Sequence, residues 1–161
     1  MPESTESVPT PNHSPSGSGV LFTEKLWPSA WIWIVVVGLS AAGILMFAPI
    51  SITAGIIAAL VLFAIMTIML VWSTPAIVVD RDTVQVGRAS IQRDYVGAVT
   101  AYRKDEATAE RGVRLNGLAF LCLRGWVDPV VRIEITDPAD RTPYWLTSTR
   151  RPDELLAALS K

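Results

Sequence analysis

The chain has 161 residues, half of them hydrophobic, with 18% charged and a formal net charge of −1. That length holds roughly one soluble domain, and the charged share lies below the ~25% of an ordinary soluble protein. The deficit is local, because residues 26–79 contain no Asp, Glu, Lys, Arg or His; this excludes a purely soluble protein on composition, and the balanced charge gives no sign of nucleic-acid binding.

Residues 1–21 read as a disordered tail. Pro, Ser, Thr and Gly dominate it, and such a segment cannot bury enough apolar surface to offset its chain entropy. It lacks the basic start of a secretory signal, and Glu3 and Glu6 make it acidic. Residues 22–75 read as a transmembrane helical hairpin. The uncharged stretch is too long for one crossing, since a bilayer core needs about 20 helical residues. Pro49 divides it, because proline ends a helix at the preceding residue. The spans are placed at about 29–47 and 52–72, with Pro28 opening the first and Pro75 closing the second.

Charge and aromatics orient the hairpin. Its short loop is uncharged, whereas Lys25 precedes the first span and Arg81, Arg88 and Arg93 follow the second. Positive residues near span ends stay cytoplasmic, so both termini are expected inside, in a multi-pass protein of the cell membrane. Trp27, Trp31, Trp33 and Trp72 cluster at the open end as membrane-interface anchors. Gly38 and Ala42, Gly55 and Ala59, and Ala54 and Ala58 form small-residue faces. Such faces either pair the two spans or serve dimerisation.

Residues 76–161 read as a small cytosolic β-rich domain ending in a helix. Strands are expected at 76–79, 83–86, 89–92, 98–102, 118–123, 131–135 and 144–148. The run 118–123 is continuously apolar, as suits a strand covered on both faces. Val131, Ile133 and Ile135 alternate with polar residues, as in a half-buried strand. Residues 104–112 form a loop or one helical turn. Pro152-Asp153-Glu154 starts a helix with Leu155, Leu156 and Leu159 on its apolar stripe. Seven strands and a terminal helix give an α+β membrane protein with a pleckstrin-homology-like domain, a fold analogy that carries no function.

Single residues limit the chemistry. Cys122 is the only cysteine and His13 the only histidine. Zinc needs three or four N/S ligands, and Ser-His-Asp or Cys-His catalysis needs a placed base. No catalytic, metal or cofactor-binding residue is therefore expected, and Cys122 reads as a buried small hydrophobe. Arg124, Trp126, Arg141, Tyr144, Trp145, Arg150 and Arg151 are the candidate contacts with a partner or a lipid headgroup. Arginine forks onto carboxylate or phosphate. These arginines either form a basic, aromatic rim or pair with Asp137, Asp140, Asp153 and Glu154.

Three stretches carry a family resemblance: Phe22-Thr-Glu-Lys-Leu-Trp-Pro28 with Trp31 and Trp33, then Val86-Gly-Arg-Ala89, then 137–152, Asp-Pro-Ala-Asp-Arg-Thr-Pro-Tyr-Trp-Leu-Thr-Ser-Thr-Arg-Arg-Pro. Over about residues 21–158 the chain resembles an uncharacterised family of actinobacterial membrane proteins, catalogued as domain of unknown function 3093, and looks nearest to its mycobacterial member. The resemblance implies topology and no activity. The expected partners are the lipid bilayer and a second membrane protein. The expected role is a non-catalytic scaffold or regulatory subunit whose cytosolic domain docks that protein; the alternative is an anionic-headgroup sensor.

Overall fold

The computed structural model describes residues 19–160. The tail expectation for residues 1–18 lies outside the described residues. Two long apolar helices form a hairpin, followed by a β-rich region and a C-terminal helix.

Helix α1 (Ala30–Phe47) starts two residues after Pro28, and α2 (Ile52–Trp72) begins after the Ala48-Pro49-Ile50-Ser51 turn. Pro49 lacks the N–H that would continue α1. At the far end of α2, Ser73 Oγ and Thr74 Oγ1 both donate to the Leu70 carbonyl, at 3.0 and 2.9 Å, before Pro75 stops the helix. Such hydroxyls satisfy carbonyls that a helix end leaves open.

The helices meet through Val36, Ser40 and Gly43 of α1 and Gly55 of α2. Ser40 Oγ donates to the Val36 carbonyl at 2.7 Å, so its burial leaves no donor unmade. A Cβ on Gly55 would lie 3.0 Å from the Ile44 carbonyl oxygen, and one on Gly43 would press on Ala59 and Leu62. The expected Gly38/Ala42 face is not the contact surface: both residues point away from α2. Most of the hairpin's apolar side chains are uncovered, Leu45 and Met69 among them. The β-region therefore does not enclose it.

Strand β1 (Phe22–Lys25) is the element that sequence reading missed. It pairs antiparallel with β2 (Ala76–Val79), Phe22 opposite Val79 and Lys25 opposite Ala76. The boundary expected between 75 and 76 thus does not divide the structure. Residues before the hairpin and residues after it build one sheet, which continues through β3 (Thr83–Val86) and β4 (Ala89–Gln92) in the order β1-β2-β3-β4. The ladder also takes in the expected tail end, since Leu21 N–H donates to the Val79 carbonyl at 2.8 Å.

A second sheet has the order β5-β7-β8-β6, from β5 (Val96–Tyr102), β6 (Phe120–Cys122), β7 (Val130–Ile135) and β8 (Tyr144–Ser148). The seven expected strands are thus present, joined by β1. Strand β6 runs parallel to β8 at the sheet edge. Leu121 within it and Leu118 just before it are exposed, so the strand covered on both faces is β8, not 118–123. Residues 104–111 form a two-turn helix, α3 (Lys104–Arg111), where a loop or one turn was expected. Asp128 holds its start by accepting from Lys104 N–H at 2.9 Å, and Ala107 buries against Val130, Tyr144 and Leu146.

The main core lies between the sheets. Phe22, Ile77, Val79, Val84 and Val86 face Val131, Ile133 and Trp145, with Leu155 and Leu159 of α4 (Pro152–Leu159) added from one end. Arg93 secures that helix by donating to the Ala158 and Ser160 carbonyls at 2.6 and 3.1 Å, a cation at the negative end of a helix. Gly55→Ala should lower the unfolding midpoint of the detergent-purified protein by the equivalent of about 1–3 kcal/mol, the range for overpacking. Gly38→Ala meets open space and should be neutral. Equal stability of the two variants would show that this helix contact is not close.

Candidate functional site

The candidate arginines converge on the joint where the hairpin enters the β-region. Glu24 sits at an inward position of β1 and is only 7% exposed. Its carboxylate accepts from Thr149 Oγ1 and from Arg150 N–H, the latter at 2.9 Å. Arg150 reaches back to donate to the Trp27 carbonyl at 2.6 Å. Arg151 donates to the Thr23 carbonyl, lies 4.8 Å from the Phe22 ring centroid and pairs with Glu154 at 3.1 Å. The segment after β8 is thus strapped across β1. Leu26 N–H donates to the Pro75 carbonyl at 3.1 Å, which extends the strand pairing to the edge of the helices.

This use of Arg150 and Arg151 meets the pairing expectation only at Arg151, which takes Glu154. Both arginines are exposed, yet each is tied to a backbone carbonyl. Asp137 and Asp140 are occupied in their own turns, each accepting from a backbone N–H two residues on at 2.8 Å. The Thr142 hydrogen bonds hold the Asp140 carboxyl below its ordinary value. Asp153 instead pairs with Arg103 at 2.7 Å. Arg141 is exposed.

Tyr144 and Trp145 are not surface contacts. They are 2% and 4% exposed, because β8 is the strand with a core on each face. Trp145 packs its ring 5.6 Å from Phe120. Tyr144 accepts from Asn116 N–H at 2.8 Å and carries the Arg132 guanidinium 4.0 Å above its ring. Arg132 is in turn 3.6 Å from buried Glu110, which also meets Arg114 at 3.5 Å. This buried polar group was missed because α3 was not recognised as a helix, so nothing placed Glu110 on the same buried face as Ala107, one turn earlier. Trp126 is half-buried, 5.9 Å from Arg124, with its indole nitrogen enclosed.

Of the expected anchors, Trp27, Trp31 and Trp72 are exposed and Trp33 is half-buried. Lys25 Nζ lies 4.6 Å over the Trp27 ring. On the α2 side of the joint is a cavity of about 570 Å³, whose lining includes Trp72, Ser73, Arg88, Phe120, Cys122 and Arg124. Arg124 Nη2 donates to the Ser73 carbonyl, and Nη1 to the Leu123 carbonyl at 2.9 Å. Cys122 is buried as expected, and burial raises its thiol above the ordinary value against smaller opposing effects of Thr147 and Arg124. Among the described residues, no group of three His, Cys, Asp or Glu side chains could hold a metal ion.

Fold and site define a class: an apolar helical hairpin inserted between two adjacent strands of a β-region and locked there by a buried carboxylate. The chain belongs to the family described as protein of unknown function (DUF3093), whose model matches residues 21–159. That match begins just before β1 and ends in α4, so it treats hairpin and sheets as one unit. No curated protein and no solved structure matches the chain. The two longest stretches that carried the resemblance, 22–28 and 137–152, meet at the Glu24 joint.

Glu24→Ala should destabilise the detergent-purified protein by about 1–3 kcal/mol, the cost of leaving buried donors unsatisfied. Glu24→Gln keeps one acceptor and should cost less. A wild-type melting temperature for Glu24→Ala would show that the carboxylate does not hold the joint.

Proposed function

We propose that this chain is an integral membrane protein of the cell membrane, with both helices crossing the bilayer and both termini in the cytoplasm. Its β-region, read as pleckstrin-homology-like from two facing sheets and an end helix, serves as a non-catalytic scaffold or regulatory module that docks a neighbouring membrane protein. The observation that carries this reading is the β1–β2 ladder, which ties the domain to both ends of the hairpin. Two crossings joined at their open end return the chain to the side it left. Uncovered Leu, Ile, Val and Met side chains along both helices suit lipid. The exposed Trp27, Trp31 and Trp72 suit the headgroup layer, and Lys25 near the start of α1 suits the cytoplasmic side.

A domain held at both ends has a fixed height and orientation on the membrane. That geometry favours docking a neighbour over capturing a freely diffusing partner. The contact surface we assign is the segment between α3 and β6, where Val113 is 93% and Leu118 66% exposed.

A Cys at Ser51, in a Cys122→Ser background, should react with an impermeant thiol reagent added to intact cells. Reaction only after lysis contradicts the topology. A photo-crosslinking residue at Val113 should give a discrete protein adduct in intact membranes, and one at Gln85, on the other sheet, should not. Identical patterns at the two positions would contradict docking through this segment.

A further inference from the structure

The cavity beside α2 combines features that the docking role does not use. Two arginines, Arg88 and Arg124, line it, and no Asp or Glu does. Arg88 is exposed and, among the described residues, makes no ion pair or hydrogen bond. Arg124 is fixed by the Ser73 and Leu123 carbonyls, yet its Nε is buried with no partner. The negative end of α2 faces the same space and would repel an anion. Part of that end is covered, however: the Leu70 carbonyl by the Ser73 and Thr74 hydroxyls, and the Ser73 carbonyl just past the helix by Arg124. The net presentation is therefore cationic. Trp72 and Leu121 supply an apolar wall.

We propose that this cavity is a phosphate site that takes the headgroup of an anionic glycerophospholipid, with Arg88 and Arg124 on the phosphate and Trp72 against the glycerol. This rests on the reading that the hairpin crosses a bilayer. The cavity opens where α2 ends, so on that reading its mouth is at headgroup level. Its volume of about 570 Å³ lies within the range of small-ligand sites. Arginine is suited to phosphate because its planar fork donates two parallel hydrogen bonds; Arg88 has that fork free, and Arg124, whose Nη atoms already serve carbonyls, adds its fixed charge. The choline of a zwitterionic lipid would meet two cations and no carboxylate. A local pair of arginines also selects a headgroup without general basicity, which this nearly neutral chain lacks.

The test is calorimetric titration of the full-length protein in neutral detergent with dihexanoyl phosphatidylglycerol, dihexanoyl phosphatidylcholine and inorganic phosphate. The proposal expects the anionic lipid to bind at least tenfold tighter than the other two. Arg88→Gln should weaken it about tenfold and Arg141→Gln, at an exposed arginine that does not line the cavity, should not. Arg124 also covers the α2 end, so Arg124→Lys is compared only after its melting temperature matches wild type; it should weaken binding as well. Equal binding of inorganic phosphate overturns the lipid assignment. Equal affinities of the Arg88→Gln and Arg141→Gln proteins overturn the site. The short-chain lipids are soluble, so these outcomes do not depend on insertion of the hairpin, which Ser51 labelling reports separately.

Discussion

The pairing of β1 with β2 is the constraint on which the rest of the structure depends. A four-residue strand before the helices joins the first strand after them, and the hydrogen bonds run from Leu21 N–H on the Val79 carbonyl to Leu26 N–H on the Pro75 carbonyl. The hairpin is therefore a long insertion between neighbouring strands, with both of its ends fixed a few ångströms apart. Helix spacing at the open end is set by strand spacing, about 4.7–4.9 Å between backbones, widened by the short connectors at 27–29 and 73–75. Gly43 and Gly55 then let the helices close together further along.

A buried carboxylate makes this pairing specific. An edge strand of four residues is a weak element alone. Glu24 adds hydrogen bonds from the far end of the chain, while Arg151 grips the Thr23 carbonyl of β1 and Arg150 the Trp27 carbonyl just beyond it. Charge-assisted hydrogen bonds of this kind are stronger than neutral ones. The same arginines, though exposed, thereby serve the joint. Cationic chemistry remains on the α2 side, where Arg88 and Arg124 line a cavity without acids.

Much of this was legible in the sequence. The absence of charge from 26 to 79, with Pro28, Pro49 and Pro75 as punctuation, placed both helices almost to the residue. Alternation at Val131, Ile133 and Ile135 located β7, and the acids after Pro152 located α4. Strand β1 stayed hidden because its inward positions are Phe22 and Glu24, with Leu26 just past its end. A glutamate there reads as a solvent-facing charge unless its partner, 125 residues away at Thr149, is known. Burial of Tyr144 and Trp145 was equally non-local: it follows from the central place of β8, which depends on a parallel pairing with β6 that no turn signal announces. Asp137 and Asp140 looked like arginine partners, but each satisfies a local backbone N–H first.

Native-state hydrogen exchange on the full-length protein in detergent tests the central claim most directly. The amides of Leu21 and Leu26, which donate to the Val79 and Pro75 carbonyls, should be protected to the same degree as those paired between β2 and β3, because one cooperative sheet opens as a unit. Exchange of the Leu21 and Leu26 amides at free-peptide rates, while the β2–β3 amides stay protected, would show that the segment before the hairpin is not part of the sheet.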